Sequence, residues 1–427
     1  MEASHDKIES FSDGQKSLFK RNQQDCAFDG AMMALVPIAD AAHLVHGSSG
    51  CVGSFLSGSN NAAILNKIRF TTDMEESDII FGGAKKLYSS ILEVHRRYNP
   101  KAIFVYSTCV SAMIGDDING AAHDAAEKLG IPVIPVDSPG FVGNKNSGIR
   151  LAGDILLEHV IGTVEPEFTT NYDINLIGDS FDDGAVEIES LLEKIGIRVL
   201  AKIAGNSEYK QIAQAHRAKL NVVISSKTLL KLALQMQKRY GIDYIEESLH
   251  TLEEINNCLI NIALKLDADL KERTENLIIA QTNNLNYQLD LYRSHIKKKK
   301  IIIDVTNGNL SIISTAKILN LDIIPIAEHL SDENKAKITQ LLNQEVIILN
   351  KGNEKNQLLQ IIQDREVDML VAPHNYQSIA IQTQIPFLNN RHQSTYAGYT
   401  GILKAAQELY TAFKSTIWKQ LNTSAPW

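Results

Sequence analysis

The feature that most constrains this chain is the recurrence of short, unbroken apolar runs separated by longer stretches of helical periodicity. Lys101–Tyr106 and Ile131–Val136 are two such runs, and between them Ile118–Leu129 carries Ala121, Ala122, Ala125 and Ala126 at helical spacing. A run that is apolar on both of its alternating faces belongs to a strand covered on both sides, and a helix between two of them makes a parallel β-α-β crossover. The pattern returns in Asp173–Gly178, the helical stretch Ala185–Ile195, Ile197–Ala201 and Asn221–Ile224, with a helix reaching about Tyr240. It returns again in Ile301–Val305, the helical Leu310–Leu319, Asp322–Ile326, Glu345–Leu349 and Asp368–Ala372. Polar breaks near Thr163–Asn171 and Lys297–Lys300 divide the chain. The reading is therefore α/β. It comprises a polar extension at 1–24, segments at 25–170 and 171–297, and a third segment with C-terminal helices at 298–427. Ligands of such doubly wound sheets collect beyond the carboxyl ends of the strands.

Composition narrows the function classes. Lysine plus arginine number 42 against 50 aspartate plus glutamate, a net charge of −8 that argues against a broad nucleic-acid footprint. The basic run Lys297–Lys300 precedes an apolar strand and reads as its solvated start. Residues 1–24 lack the apolar centre of an export signal, and no apolar stretch reaches ~20 residues, so a cytoplasmic protein without a membrane span is expected. Four cysteines exclude a disulfide-stapled scaffold. No G-x-x-x-x-G-K-[ST] loop, G-x-G-x-x-G turn or serine triad is present, so nucleotide hydrolysis is not expected and no catalytic residue is assigned.

Three of the cysteines, Cys26, Cys51 and Cys109, fall in the first segment, each at an element edge. Cys26 precedes Ala-Phe-Asp-Gly30, Cys51 lies in Gly47-Ser-Ser-Gly-Cys-Val-Gly53, and Cys109 follows the strand ending near Tyr106. Glycine beside cysteine lets backbone approach a bulky group and present an N–H to sulfur. Spacing alone leaves two readings open, buried free thiols and metal ligands, because no C-x-x-C is present. Three thiolates are one short of the four that an iron–sulfur cluster takes, so a metal reading requires a ligand from elsewhere, most simply a partner subunit. Cys258 sits in an amphipathic helical pattern, Glu253–Leu266, and reads as a core or surface thiol.

The blocks Cys26–Ala31, Leu35–Asp40, His43–Gly47, Thr71–Met74, Phe81–Leu87, Tyr106–Val110, Ile114–Asp117, Ile134–Ser138 and Gly143–Asn146 resemble nitrogenase component 1 proteins. Farther on, Asp173–Gly178, His216–Ala218, Tyr240–Ile242, Pro386–Phe387, Tyr396–Tyr399 and Ala425–Trp427 fit the same family, in its NifE-like branch of scaffold subunits for the iron–molybdenum cofactor. The resemblance implies three Rossmann-like domains, each a mainly parallel sheet flanked by helices. It implies a heterotetramer with a NifN-like partner and a [4Fe-4S] cluster at the subunit interface. Cys26, Cys51 and Cys109 would supply three of its ligands and the partner the fourth. The cluster would relay electrons from the nitrogenase reductase (iron protein) to a transiently held iron–molybdenum cofactor precursor.

The second site departs from the family pattern. Where such chains are expected to carry a precursor-holding cysteine after the strand Asn221–Ile224, this one has Ser225, whose hydroxyl is a harder and far less acidic donor. Ser225 also suits a helix N-cap. His374, Asn389 and Arg391, with His392, are the other expected precursor-facing positions, as is the loop Asn307–Asn309. Lys85, Lys86, Arg217, Lys227 and Arg391 are the candidate cations for an anionic cluster. His46 either supports the first site or packs as an ordinary buried histidine. The missing thiol keeps two alternatives open: a nitrogenase-like reductase subunit acting on another substrate, or a degenerate paralogue.

Overall fold

A computed structural model describes residues 26–58, 69–178, 183–390, 396–415 and 417. The chain forms two compact units, Met1–Ser180 with Val199–Glu246, and Phe181–Arg198 with Glu247–Trp427.

The first unit holds two sheets. Strands β1 (Ala41–His46), β2 (Arg69–Thr71), β3 (Ala102–Ser107) and β4 (Val133–Val136) line up in the order β2-β1-β3-β4. Every neighbouring pair in this sheet is parallel. The helices around it are α1 (Ala27–Leu35), α2 (Ser49–Gly58), α3 (Glu76–Phe81), α4 (Ala84–Tyr98), α5 (Cys109–Ile114), α6 (Ile118–Leu129) and α7 (Lys145–His159). One face of the sheet packs Leu87, Ile91, Ala122 and Ala125 from α4 and α6. The other packs Met32, Leu35, Ala152 and Leu156 from α1 and α7. Covered on both faces, β1 and β3 are buried at every residue, which is why they read as continuous apolar runs. The second sheet orders β5 (Asp173–Gly178), β6 (Arg198–Ile203), β7 (Leu220–Ile224) and β8 (Asp243–Glu247) as β6-β5-β7-β8, with β5 and β7 parallel.

The second unit carries a five-stranded sheet of β9 (Lys300–Asp304), β10 (Asp322–Ala327), β11 (Ile347–Ile348), β12 (Met369–Ala372) and β13 (Phe387–Asn389). Its order is β11-β10-β9-β12-β13, parallel throughout. The order reverses between β9 and β12, the topological switch point of a doubly wound sheet. Long helices Leu252–Leu266, Leu270–Ile296 and Gly398–Lys414 complete this unit. Among the described residues no helix is long and apolar enough to cross a membrane.

One strand expectation needed correction, and one buried strand was missed. The run Glu345–Leu349 shrinks to the two-residue edge strand β11, because it meets only β10 and its last apolar residue, Leu349, is held by a single bond to Ala327 O. Strand β1 was not foreseen, since His43 and His46 break its apolar run. Both rings are fully buried against polar partners, His43 Nδ1 lying 2.8 Å from the Tyr106 hydroxyl.

One contact in the first unit is made by backbone alone. A Cβ on Gly30 of α1 would lie 1.9 Å from the Lys145 carbonyl oxygen, and a Cβ on Gly148 of α7 would lie 1.9 Å from that of Ala27. The two helices thus cross at a distance only paired glycines permit. Their starts are tied as well: Ala27 N–H donates to Gly143 O at 2.9 Å, and Cys26 pairs with Asn144 as an isolated antiparallel bridge. Replacing Gly148 with alanine drives a methyl group into a carbonyl that cannot rotate away. Gly148→Ala is expected to destabilise the fold by about 1–3 kcal/mol, read as a lower denaturant midpoint. An unchanged midpoint would show that the crossing has room to spare.

Candidate metal centre

The three cysteines of the first unit reach one region from three elements. Cys26 precedes α1 in extended backbone and is half-buried. Cys51 lies in the first turn of α2, just past the carboxyl end of β1, and is also half-buried. Cys109 opens α5 immediately beyond β3 and is exposed. The loop before α7 joins two of them. A Cβ built on Gly140 would lie 3.1 Å from Cys109 Sγ and 3.5 Å from Cys26 Sγ, and the Gly140 N–H donates to Cys109 Sγ at 3.2 Å. Only hydrogen at position 140 leaves room between the two sulfurs for a bulky group. A backbone N–H aimed at sulfur stabilises the thiolate form that a metal needs. Cys51 is close enough to Cys109 for the charge there to raise the cost of ionising Cys51.

All four cysteines are free thiols. Burial pushes the Cys26 pKa up to about 11, with the neighbouring Asp29 carboxylate, 3.5 Å from the sulfur, adding repulsion. Burial likewise raises Cys51, helped by Cys109. Among the described residues no group of three or more His, Cys, Asp or Glu side chains could enclose a single metal ion. A cubane cluster asks for something else, one thiolate on each of its separate irons, so the sulfurs need not crowd one point. Free thiols on three elements, a glycine that clears the space beside two of them and an N–H on one sulfur fit such a group. They leave it one ligand short.

Large apolar side chains lie exposed around these sulfurs. Phe141 (63 % exposed) and Val142 (53 %) follow Gly140, and Met113 (79 %) shares α5 with Cys109. Helix α3, which neighbours α5, exposes Ile80 and Phe81. Clustered exposed apolar groups beside polar ligands mark a surface for a partner.

The other expected positions lie on several elements of the two units. Ser225 follows β7 in the first unit, exposed, with φ at +50°. It does not cap the following helix, Leu230–Tyr240, whose N-cap position is Leu229 and carries no side-chain cap; the neighbouring Ser226 Oγ accepts from Leu229 N–H at 3.0 Å in the turn before that helix. His374 is exposed in the turn after β12, and Asn389 is the half-buried last residue of β13, both in the second unit. Arg391 and His392 lie outside the described residues, as do 1–25 and Ala425–Trp427. Lys86 is committed to Asp78 at 2.7 Å and to Asp73 O, while Arg217 is paired with Glu165. Cys258 is wholly buried in the helix Leu252–Leu266, its thiol pushed far up by desolvation, and reads as core. The sequence reading missed Gly140 as a sulfur donor and Asp29 as the charge beside Cys26. The first is 31 residues from its sulfur; the second sits one helical turn after Cys26 and was readable.

A family model described as nitrogenase component 1 type oxidoreductase matches residues 26–414. The chain is 51% identical over 95% of its length to a nitrogenase iron-molybdenum cofactor biosynthesis protein NifE of Nostoc sp., covering 86% of that protein. It is 47% identical to the NifE of Rippkaea orientalis, over 95% of this chain and 88% of the other. The fold matches the solved structure of nitrogenase Cp1 at pH 5 with a TM-score of 0.74 at 23% identity, over 94% of this chain and 90% of that one.

The burial pattern orders the thiols. In the metal-free folded chain, iodoacetamide is expected to alkylate Cys109 first. Cys26 follows slowly, its rate rising about tenfold per pH unit between pH 7 and pH 9, because thiolate is scarce well below a pKa near 11. Cys258 stays unmodified until the chain unfolds. Peptide mapping that found equal labelling of all four at pH 7 would contradict this arrangement.

Proposed function

The chain belongs to the nitrogenase component 1 type oxidoreductase family, and from that membership we propose that it is one subunit of a scaffold complex that matures the iron–molybdenum cofactor. Its NifE relatives are cofactor biosynthesis proteins, and this chain is NifE-like over nearly its whole length. In the proposed complex a NifN-like subunit completes a heterotetramer and lends the fourth ligand to a [4Fe-4S] cluster held by Cys26, Cys51 and Cys109. When bound, such a cluster supplies reversible one-electron transfer, here between an iron protein and a cofactor precursor. The reaction takes place in the cytoplasm, where thiolates stay reduced.

The observation that carries this reading is the incomplete ligand set at an apolar surface: the Cys26 and Cys109 sulfurs flank Gly140 while Met113, Phe141 and Val142 stand exposed beside them. Each residue has work of its own. The Gly140 N–H donates to the Cys109 sulfur, and Gly140 keeps the space beside the Cys26 and Cys109 sulfurs clear. Cys26 and Cys51, half-buried and reluctant to ionise, release their protons as they take up metal. The exposed apolar side chains exclude water once a partner covers them.

The precursor site is a separate matter. Ser225 offers a hydroxyl where a soft ligand is expected, so this position would hold a precursor weakly, through a hydrogen bond rather than an Fe–S bond.

Anaerobic co-purification with the NifN-like partner, iron counting and EPR test the reading. Iron in the amount of the shared clusters is expected, and Cys109→Ala should remove most of it while the chain stays folded. A wild-type complex free of iron would overturn the proposal. Ser225→Cys should increase the precursor retained on the complex several-fold; equal retention would mean that position 225 is not what sets it.

A further inference from the structure

Strands β1 and β3 run in register from Ala41–Ala102 to His46–Ser107, and both cysteine-bearing loops leave the sheet just after that last pair. Beyond the sheet, the segment carrying Cys51 and the segment carrying Cys109 are tied through one residue, His46. Its main-chain oxygen accepts the Thr108 hydroxyl at 2.9 Å, at the start of α5. Its ring reaches Asp116, just past the end of α5, with Nε2 2.9 Å from Oδ2. A carboxylate only accepts, so Nε2 carries the proton, and Nδ1 accepts the Thr72 hydroxyl at 3.0 Å. That hydroxyl in turn accepts Gly47 N–H at 3.2 Å. Burial, which lowers the His46 pKa, favours this neutral form.

The surroundings leave the pair little freedom. Both side chains are buried, the His46 ring completely and Asp116 to within 5%. Gly83 N–H donates to both oxygens of Asp116, at 2.9 and 3.0 Å. A Cβ on Gly83 would strike Asp116 Oδ2 at 2.8 Å and the His46 ring at 2.9 Å. A Cβ on Gly47 would lie 2.3 Å from Thr108 Oγ1, so the chain leaving His46 is pressed against the residue that precedes Cys109.

We propose that His46 is a positioning residue that sets the separation of Cys51 and Cys109 by gripping α5 at both ends, through its carbonyl at Thr108 and its ring at Asp116. The inference deepens the reading of these cysteines as ligands of one group and rests on it for its purpose. The clamp itself is a property of the metal-free chain. A helix of six residues has little rigidity of its own, and anchoring only one end would let Cys109 swing about the strand. With both ends fixed to the residue that launches the Cys51 loop, the two sulfurs hold their spacing before any metal arrives.

The test uses the full metal-free chain and thiol-bridging reagents of graded span, with the Cys51–Cys109 bridge counted by peptide mass. Wild type is expected to favour one span, and Asp116→Asn, which still accepts from the His46 ring, to keep it. His46→Ala and Asp116→Ala should bridge roughly fivefold less at that span and spread to others. If His46→Ala keeps the wild-type span profile, the proposal is overturned, even should it melt earlier, since a merely structural histidine would do only that. Where His46→Ala does not fold, Thr108→Val takes its place: a shifted profile that Thr108→Ser restores supports the clamp, and an unshifted one overturns it. Iron counting on the wild-type partner complex separates the two ideas. A complex without iron removes the ligand reading, while the span profile still decides for or against the clamp.

Discussion

The arrangement of the first unit depends on two helices meeting without side chains between them. Gly30 and Gly148 let α1 and α7 approach until each backbone touches the other. The same crossing brings the start of α1, with Cys26, beside the loop that ends in Asn144 and carries Gly140. One steric condition therefore fixes both a packing layer of the sheet and the relation of a cysteine to its glycine neighbour. Larger residues at the crossing would separate the helices and carry Cys26 away from the Cys109 sulfur, which sits on the sheet and would not follow.

The other two sulfurs owe their places to the parallel sheet. Adjacent parallel strands end on the same side, so Cys51 after β1 and Cys109 after β3 emerge side by side without any loop having to bring them there. The cost is paid in polar burial. His43, His46, Thr108, Ser111 and Asp116 are all inside or nearly so, and each is met by a hydrogen-bonding partner. This keeps the ends of β1 and β3 rigid where an apolar core would have left the loops free to slide.

Much of this was legible in the sequence, and the part that was not has a physical reason. Strands β3, β5, β9 and β12 announced themselves as apolar runs, and the alanines of α6 showed their spacing. The cysteines at element edges, each near glycine, pointed to the region where Gly140 meets two of the sulfurs. Strand β1 escaped because two histidines read as polar, whereas in space Tyr106 meets Nδ1 of His43, and Thr72 and Asp116 meet the two ring nitrogens of His46. Asp116 lies 70 residues from His46, and no local pattern carries a contact at that range. Ser225 does not cap the helix that follows; the hydroxyl engaged there is that of Ser226, which holds the turn before the helix while Ser225 faces solvent.

The left-handed backbone at Ser225 has a consequence for how such a site can change over time. A residue with a side chain costs ~1–2 kcal/mol in that conformation, and serine gives no relief that cysteine would not. The loop is shaped by its neighbours, with β7 before it and the turn held by Ser226 Oγ and Leu229 N–H after it. Oxygen and sulfur can thus be exchanged there without rebuilding the chain around them. A single atom separates a hard donor from a soft one, so a lineage could cross between the two chemistries in one mutational step, in either direction, while the scaffold around it stays the same.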